Sequence, residues 1–255
     1  MKRITILMYG VVSYLAFFAV FTYLMGFLSG VLVPKDINGG VTDQSMMAVL
    51  INISMILLFA VQHTIMARPA FKKKWTKIIP VEAERSTFVL VTSYILALLF
   101  WQWRPNPAVI WSVESSFLAG ILYGGCALGF GIVFYSSFLI NHFDLFGLRQ
   151  VFLQMMGKEY THPELKVVSL YRIVRHPLML GMLIAFWSTP LMTVGHFVFA
   201  AGFTAYILVG TRIEESTLIQ ELGDEYLKYQ ETTPALIPSL SPIAAVNGKS
   251  QPTAV

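Results

Sequence analysis

Residues 178–211 read LMLGMLIAFWSTPLMTVGHFVFAAGFTAYILVGT, with His196 as the one histidine and no Asp, Glu, Lys or Arg. As one straight helix this stretch would measure about 50 Å, whereas the hydrocarbon core of a bilayer is about 30 Å thick. A proline removes a helical hydrogen bond and a glycine tolerates a turn, so we expect a break from Thr189-Pro190 to Gly195. The stretch therefore predicts a hairpin of two short membrane helices.

Four more stretches lack ionised side chains, and each is long enough to cross a membrane as a helix. They are residues 4–33, 45–67, 86–103 and 115–140. Hydrophobic residues make up 56% of the chain and charged residues 13%, with a mean hydropathy of +0.65, which excludes an ordinary soluble domain. The first run is too long for a cleaved signal peptide, so we interpret it as a retained anchor. The sequence thus predicts an all-α integral membrane protein with four transmembrane helices and the C-terminal hairpin, five to six membrane segments in all.

The same pattern divides the chain into three regions. Residues 1–140 form a four-helix membrane region, and residues 141–238 contain a connector, the hairpin and a cytoplasmic tail helix. Residues 239–255 are rich in Pro, Ser and small polar residues and are predicted to be a disordered tail. Candidate catalytic groups concentrate in the second region.

Basic residues indicate the orientation in the membrane. They cluster at the N-terminus and between the second and third spans, at Lys2, Arg3, Arg68, Lys72, Lys73, Lys74, Lys77 and Arg85. By the positive-inside rule these regions are cytoplasmic, which also places the connector and the segment after the hairpin on the cytoplasmic side. Anionic lipid headgroups account for the net charge of +4, so no nucleic-acid partner is required.

A basic segment opens the hairpin. Pro177 suits the first position of a helix, which makes His176 the predicted N-cap. Free N–H groups and a positive dipole end, flanked by Arg172 and Arg175, form a site for a carboxylate or phosphate.

An acidic pair closes the hairpin. Glu214 and Glu215 are adjacent, so on a helix they point about 100° apart. One can accept hydrogen bonds from ribose hydroxyls or an ammonium while the other pairs with Arg172, Arg175 or Arg212. A ligand with a carboxylate, an ammonium, a ribose and a sulfonium, such as S-adenosylmethionine, fits between the two ends.

Other polar residues supply candidates for catalysis and substrate binding. His142 and His176 are candidate bases, and Asp144 could orient His142; the alternatives are a cap on the fourth helix for His142 and ligand binding or capping for His176. Tyr226 and Tyr229 share a helix face and either cover the ligand or pack the tail helix. The predicted substrate pocket contains His63, Glu84, Arg85, Asn141 and Phe143, with helix–helix hydrogen bonding as the alternative for His63. No zinc-ligand, Walker or Rossmann spacing is present, and no metal is predicted.

Two groups of motifs resemble known families. Arg175-His176-Pro177-Leu178-Met179-Leu180-Gly181, Glu214-Glu215 and Gly223-Asp224-Glu225-Tyr226-Leu227-Lys228-Tyr229 resemble the C-terminal signature of the isoprenylcysteine carboxyl methyltransferase superfamily. Gln62-His63-Thr64, Glu84-Arg85-Ser86-Thr87 and Asn141-His142-Phe143-Asp144 resemble the bacterial membrane methanethiol S-methyltransferases. Met179 departs from the pattern, which has tyrosine there.

The resemblance implies methyl transfer from S-adenosylmethionine to a small thiol, converting methanethiol to dimethyl sulfide at a cytoplasmic active site of the bacterial inner membrane. The residues predicted to bind the cofactor are Tyr171, Arg172, Arg175, His176, Pro177, Leu180, Gly181, Glu214, Glu215, Tyr226 and Tyr229. Membrane lipids are the other expected partners.

Two alternatives stay open at this point. Another lipophilic thiol or a carboxyl group could be the methyl acceptor. A b-type haem or quinone protein is the rival from another class, and haem ligation would require His63 and His196 to face one another.

Overall fold

A computed structural model of the protein describes residues 2–161 and 165–238. The predicted tail, residues 239–255, lies outside the described residues. The helices are α1 (Lys2–Ser29), α2 (Met46–Ala67), α3 (Pro69–Trp75), α4 (Glu84–Gln102), α5 (Ser116–Ile140), α6 (His142–Leu145), α7 (Leu148–Met155), α8 (Pro177–Trp187), α9 (Val194–Leu222) and α10 (Asp224–Thr232). The strands are β1 (Val109–Ser112) and β2 (Leu191–Thr193), and 3-10 turns cover Val81–Ala83 and Ser169–Arg172.

Five segments are long and apolar enough to cross a membrane. They are α1, α2, the continuous helical segment Val81–Gln102, α5 and α9. The remaining apolar helix, α8, has 11 residues and measures about 16 Å, too little to span the hydrocarbon core. The prediction of an all-α, multi-pass membrane protein is therefore confirmed.

The hairpin breaks where the sequence predicts, but its second helix is not short. The chain leaves α8 at Ser188 and begins α9 at Val194, where the Thr193 hydroxyl accepts a hydrogen bond from the His196 N–H at 3.1 Å. α9 then runs for 29 residues and ends at Gly223, which has a positive φ of 59°. No proline interrupts it, so the helix continues beyond the apolar run and carries the acidic pair in its last turns.

A small antiparallel sheet joins the hairpin turn to the loop after α4. Strand β1 pairs with β2, with Trp111 opposite Met192, and the Val113 N–H donates to the Pro190 carbonyl at 2.9 Å. The sequence predicts no strands, because segments of three or four residues are too short to show the alternation typical of a strand. This sheet fixes the turn between α8 and α9.

Two glycines bring α5 and α8 into close contact. A Cβ built on Gly129 would lie 2.6 Å from the Gly181 carbonyl oxygen, and one on Gly181 would lie 2.6 Å from the Gly129 oxygen. Small residues at such crossings let helix backbones approach in a membrane. The contact sets the position of α8, whose first residues belong to the candidate site.

Candidate active site

The start of α8 and the last turns of α9 meet at an ion pair. Arg175 Nε and Nη2 both lie 2.7 Å from Glu215 Oε1, and the two side chains are only 10% and 14% exposed. A charge removed from water needs a partner, so this pair fixes the two helix ends to each other. The basic and acidic ends of the hairpin therefore adjoin, as the sequence predicts.

Glu215 uses both of its carboxylate oxygens within the protein. Besides Arg175, Oε1 lies 3.0 Å from His176 Nε2, and Oε2 accepts a hydrogen bond from Gln230 Nε2 at 3.1 Å. A carboxylate held by three groups in this way is positioned rather than free. Glu215 is the centre of the network.

The C-terminal segment, residues 230–235, closes this network; we refer to it as the tail strap. The Arg175 and His176 N–H groups donate to the Pro234 and Ala235 carbonyls at 2.8 and 3.0 Å. Arg175 Nη1 also donates to two backbone carbonyls of the tail strap. The residues that open α8 are thus held from both sides, by Glu215 and by the tail strap.

His176 occupies the predicted N-cap position of α8, but its side chain makes no capping hydrogen bond. The ring instead lies between the two carboxylates, with Nδ1 at 3.8 Å from Glu214 Oε2. Glu214 is 48% exposed, and no Lys or Arg among residues 2–161 and 165–238 lies within 4 Å of its carboxylate. The adjacent glutamates therefore diverge as predicted, and Glu214 is the one with capacity to bind a ligand.

Other predicted cofactor residues on this segment lie in different environments. Arg172 is exposed and donates to the Val167 carbonyl at 3.3 Å, so it pairs with neither glutamate. Pro177 begins α8, as expected. Leu180 is half-buried within the helix, and the Gly181 backbone is pressed against α5.

Three tyrosines predicted to bind the cofactor pack α10 against the residues that precede α8. Tyr226 and Tyr229 are 2% and 7% exposed, with ring centroids 5.9 Å apart in an edge-to-face arrangement. The Tyr229 hydroxyl donates to the Tyr171 carbonyl at 2.5 Å. Burial raises the pKa of Tyr229 to about 12 and also raises the pKa values of Tyr171 and Tyr226, so all three hydroxyls stay protonated at neutral pH.

His142 is 2% exposed, and both of its ring nitrogens have partners. Tyr14 Oη lies 2.8 Å from Nε2, Ser137 Oγ lies 2.8 Å from Nδ1, and the ring stacks on Phe138 at 4.3 Å. Burial lowers the pKa of His142, which favours the neutral ring. Tyr14 was not among the predicted residues, because a lone tyrosine in an apolar span gives no local signal.

The expectation that Asp144 orients His142 is wrong. Asp144 Oδ1 lies 2.9 Å from Arg149 Nη1, and Oδ2 accepts a hydrogen bond from the Tyr160 hydroxyl at 3.1 Å. The strong partner of the carboxylate is thus a guanidinium five residues away. Asn141, with a φ of 113°, caps α6 by accepting from the Asp144 N–H at 3.2 Å.

Two residues of the predicted substrate pocket share one aromatic surface. The His63 ring lies 5.3 Å from Phe59 and 4.8 Å from Phe88, centroid to centroid. Arg85 Cζ lies 5.0 Å from the Phe88 centroid, and its Nε donates to the Leu145 carbonyl at 2.7 Å. The structure therefore brings α2, α4 and the connector together at Phe88.

Glu84 and Phe143 lie at the edges of this region. Glu84 begins α4 and interacts electrostatically with the neighbouring Arg85. Phe143 is 50% exposed and packs edge-to-face on His142 at 5.4 Å. Neither residue contacts Glu214 in an interaction that the structure describes.

The histidine pair required for a haem is not formed. His63 packs beside Tyr206 on α9 at 6.2 Å, whereas His196 lies ten residues earlier on that helix, about 15 Å away along its axis. His196 Nε2 lies 2.9 Å from the Phe186 carbonyl oxygen instead. The two histidines are thus at different levels of the helix bundle.

Two surface cavities lie away from the ion-pair network. One, of about 330 Å³, is lined by Arg3, Glu82, Gln150, Gln154, Gly157, Lys158, Glu159 and Tyr160. The other, of about 420 Å³, is lined by Met25, Ser29, Val31, Tyr123, Cys126, Ala127 and Phe130.

Comparison with known proteins identifies one family model and several similar proteins that share one name. The NnrU protein family model matches residues 51–245. Methanethiol S-methyltransferase 2 of Bradyrhizobium diazoefficiens is 49% identical over 238 residues, 93% of this chain and 92% of that protein. The methanethiol S-methyltransferase of Mycobacterium tuberculosis is 47% identical, covering 93% and 98%, and that of Crocosphaera subtropica is 44% identical, covering 93% of each. No solved structure shows significant similarity to the chain.

Proposed function

This chain belongs to the NnrU family and groups with the methanethiol S-methyltransferases, and on this premise we propose that it transfers a methyl group from S-adenosylmethionine to methanethiol. The products are dimethyl sulfide and S-adenosylhomocysteine. The active site faces the cytoplasm of the bacterial inner membrane, a location that the positive-inside bias supports for the start of α8 and the end of α9.

The observation that carries the proposal is the half-exposed Glu214 beside the saturated Arg175–Glu215–His176 network. A carboxylate in this position accepts hydrogen bonds from ribose hydroxyls or from the ammonium of the methionine moiety. Because its neighbours are already paired, Glu214 can bind a ligand without breaking the network.

The carboxylate of the methionine moiety has a complementary site. The early N–H groups of α8 carry the positive end of the helix dipole, and the exposed Arg172 lies five residues before the helix. The same few residues thus offer positive and negative partners to one zwitterionic ligand.

The acceptor is consistent with the apolar character of the region. Methanethiol has no charge and few polar atoms, so Phe59, Phe88 and Tyr206 around His63 suffice to contact it. Methyl transfer requires in-line approach of sulfur to the methyl carbon in a water-poor site, and positioning supplies much of the acceleration.

The test is a direct assay on the full chain in liposomes. With labelled S-adenosylmethionine and methanethiol we expect labelled dimethyl sulfide in the headspace, and a panel of larger thiols and a prenylated cysteine should give slower turnover. Labelled product from the larger acceptors alone would overturn the methanethiol assignment.

A variant pair tests the donor site. We expect Glu214→Gln to weaken S-adenosylhomocysteine binding about 10-fold or more, since hydrogen bonds to a charged group contribute about 1.5–3 kcal/mol. Glu225→Gln, an exposed carboxylate on α10, is the matched control and should bind like the parent chain. Equal calorimetric affinities for the two variants would remove Glu214 from the site.

A further inference from the structure

The thiol must lose a proton during the reaction, and among the described histidines His63 is the one with a free nitrogen near the site. His142 is hydrogen bonded at both nitrogens, and His176 is held between Glu214 and Glu215. In contrast, His63 Nδ1 is buried with no hydrogen-bond partner in the described part of the chain. Such a nitrogen is costly to bury unless a ligand uses it.

His196 also has an unpartnered Nδ1, but its location differs. It lies in the first turn of α9, whereas Tyr206, which His63 contacts, lies eight residues before Glu214, about 12 Å along the helix. A ligand bound at Glu214 would extend about 12 Å along α9 to reach the level of His63 but about 27 Å to reach His196, so His63 is the nearer of the two.

A second contact keeps the end of α2 next to Glu214. Arg68 Nη1 donates to the Ile213 carbonyl at 3.2 Å and to Thr217 Oγ1 at 2.8 Å, and its Nε donates to the Thr64 carbonyl at 3.3 Å. Thr64 follows His63 directly. The backbone that carries His63 is thus tied to the residue before Glu214.

Arg85 supplies a positive charge on the same aromatic surface. Its guanidinium and the His63 ring both pack on Phe88. The Arg85 charge interacts most strongly with the Glu84 carboxylate, next with that of Asp144, and less strongly with that of Glu214. A cation in such a water-poor site favours a thiolate over a thiol.

We propose that His63 is the general base of the reaction and that Arg85 stabilises the thiolate, an assignment that rests on the proposed function. The S–H bond of methanethiol breaks, its proton goes to His63 Nδ1, and the electron pair stays on sulfur. That pair forms the new bond to the methyl carbon, while the carbon–sulfonium bond breaks and its electrons neutralise the sulfur of S-adenosylhomocysteine. The imidazolium then releases its proton to water.

A comparison of two thiols of different acidity distinguishes a general base at His63 from a purely structural residue. We expect His63→Gln in the full chain in liposomes to lower the rate with methanethiol about 100-fold or more, the usual contribution of a general base. The more acidic 2,2,2-trifluoroethanethiol ionises without help, so its rate should fall less than about 10-fold. Unchanged S-adenosylhomocysteine affinity would show that the donor site is intact.

Two further variants complete the test. His142→Gln should slow both thiols by the same factor, and Arg85→Gln should move the pH–rate profile for methanethiol to higher pH, whereas Arg85→Lys should restore it in part. An equal loss for the two thiols in His63→Gln, or selective rescue in His142→Gln, would overturn the assignment to His63. Absence of product from the parent chain would instead refute the proposed function itself.

Discussion

Arg175 and Glu215 are 40 residues apart in sequence, yet one carboxylate oxygen of Glu215 receives both Nε and Nη2 of Arg175 at 2.7 Å. The break in the apolar run makes this possible, since it returns the end of α9 to the start of α8. The pair joins a helix beginning, a helix end and the tail strap, so it stabilises the local fold beside Glu214.

We expect Glu215→Ala to leave the membrane spans intact but to lower the melting temperature and severely weaken S-adenosylhomocysteine binding. Removing one partner of a buried ion pair leaves an uncompensated charge and costs about 3–5 kcal/mol. Circular dichroism in detergent and calorimetry measure the two effects. Unchanged affinity would contradict the placement of the donor site, and Glu225→Ala is the exposed control.

The close contact between α5 and α8 predicts that alanine destabilises the protein more at Gly181 than at Gly124. Gly181→Ala puts a Cβ 2.6 Å from the Gly129 oxygen, and such overpacking costs about 1–3 kcal/mol. At Gly124 a Cβ meets nothing within 4 Å, so Gly124→Ala is the matched control. Thermal unfolding in detergent should separate the variants, and equal midpoints would be evidence against this helix packing.

The buried His142 predicts a loss of stability in mild acid. Burial lowers its pKa from 6.5, so the folded protein binds this proton less readily than the unfolded chain does. The contribution of His142 to the free energy of unfolding is therefore fully present above pH 6.5. It is lost as the pH falls toward the lower pKa of the folded state. Melting temperatures between pH 7.5 and 5 should fall more steeply for the parent chain than for His142→Gln. Parallel curves would show that His142 does not titrate in this way.

Tyr229 predicts the opposite pH dependence. The pKa of Tyr229 rises from 10.0 to about 12 on folding. Its contribution to the free energy of unfolding is therefore present below pH 10 and is lost between pH 10 and 12. Tyr229→Phe should be less stable at pH 8, because the hydrogen bond to the Tyr171 carbonyl is gone, and should show a shallower alkaline decline. An alkaline slope equal to that of the parent would refute the assignment.

The sequence predicts much of the fold because membrane spans leave strong local signals. Uncharged runs locate the five long apolar helices, and Pro190 with Gly195 locates the hairpin break. The sequence predicts a shorter second helix than α9, because the first polar residues mark where a helix leaves the lipid and not where the helix ends. The β1–β2 sheet depends on pairing between segments about 80 residues apart, which no local pattern reveals.

The candidate site was predictable where charge is scarce. In so apolar a chain, Arg175 and Glu215 had few possible partners, and they pair as expected. Asp144 had two possible partners. It pairs with Arg149, five residues away, and not with the imidazole of His142, two residues away. Tyr14 and Gln230 escaped notice because their contacts, to His142 and Glu215, exist only after helices pack.

The tail strap also has a consequence for biosynthesis. Residues 230–235 emerge from the ribosome after α9, yet they provide the carbonyls that hold Arg175 and His176 in place. A nascent chain can therefore insert α1 to α9 while the start of α8 still lacks these contacts. If the proposed donor site forms there, methylation should begin only once α10 and the tail strap have docked.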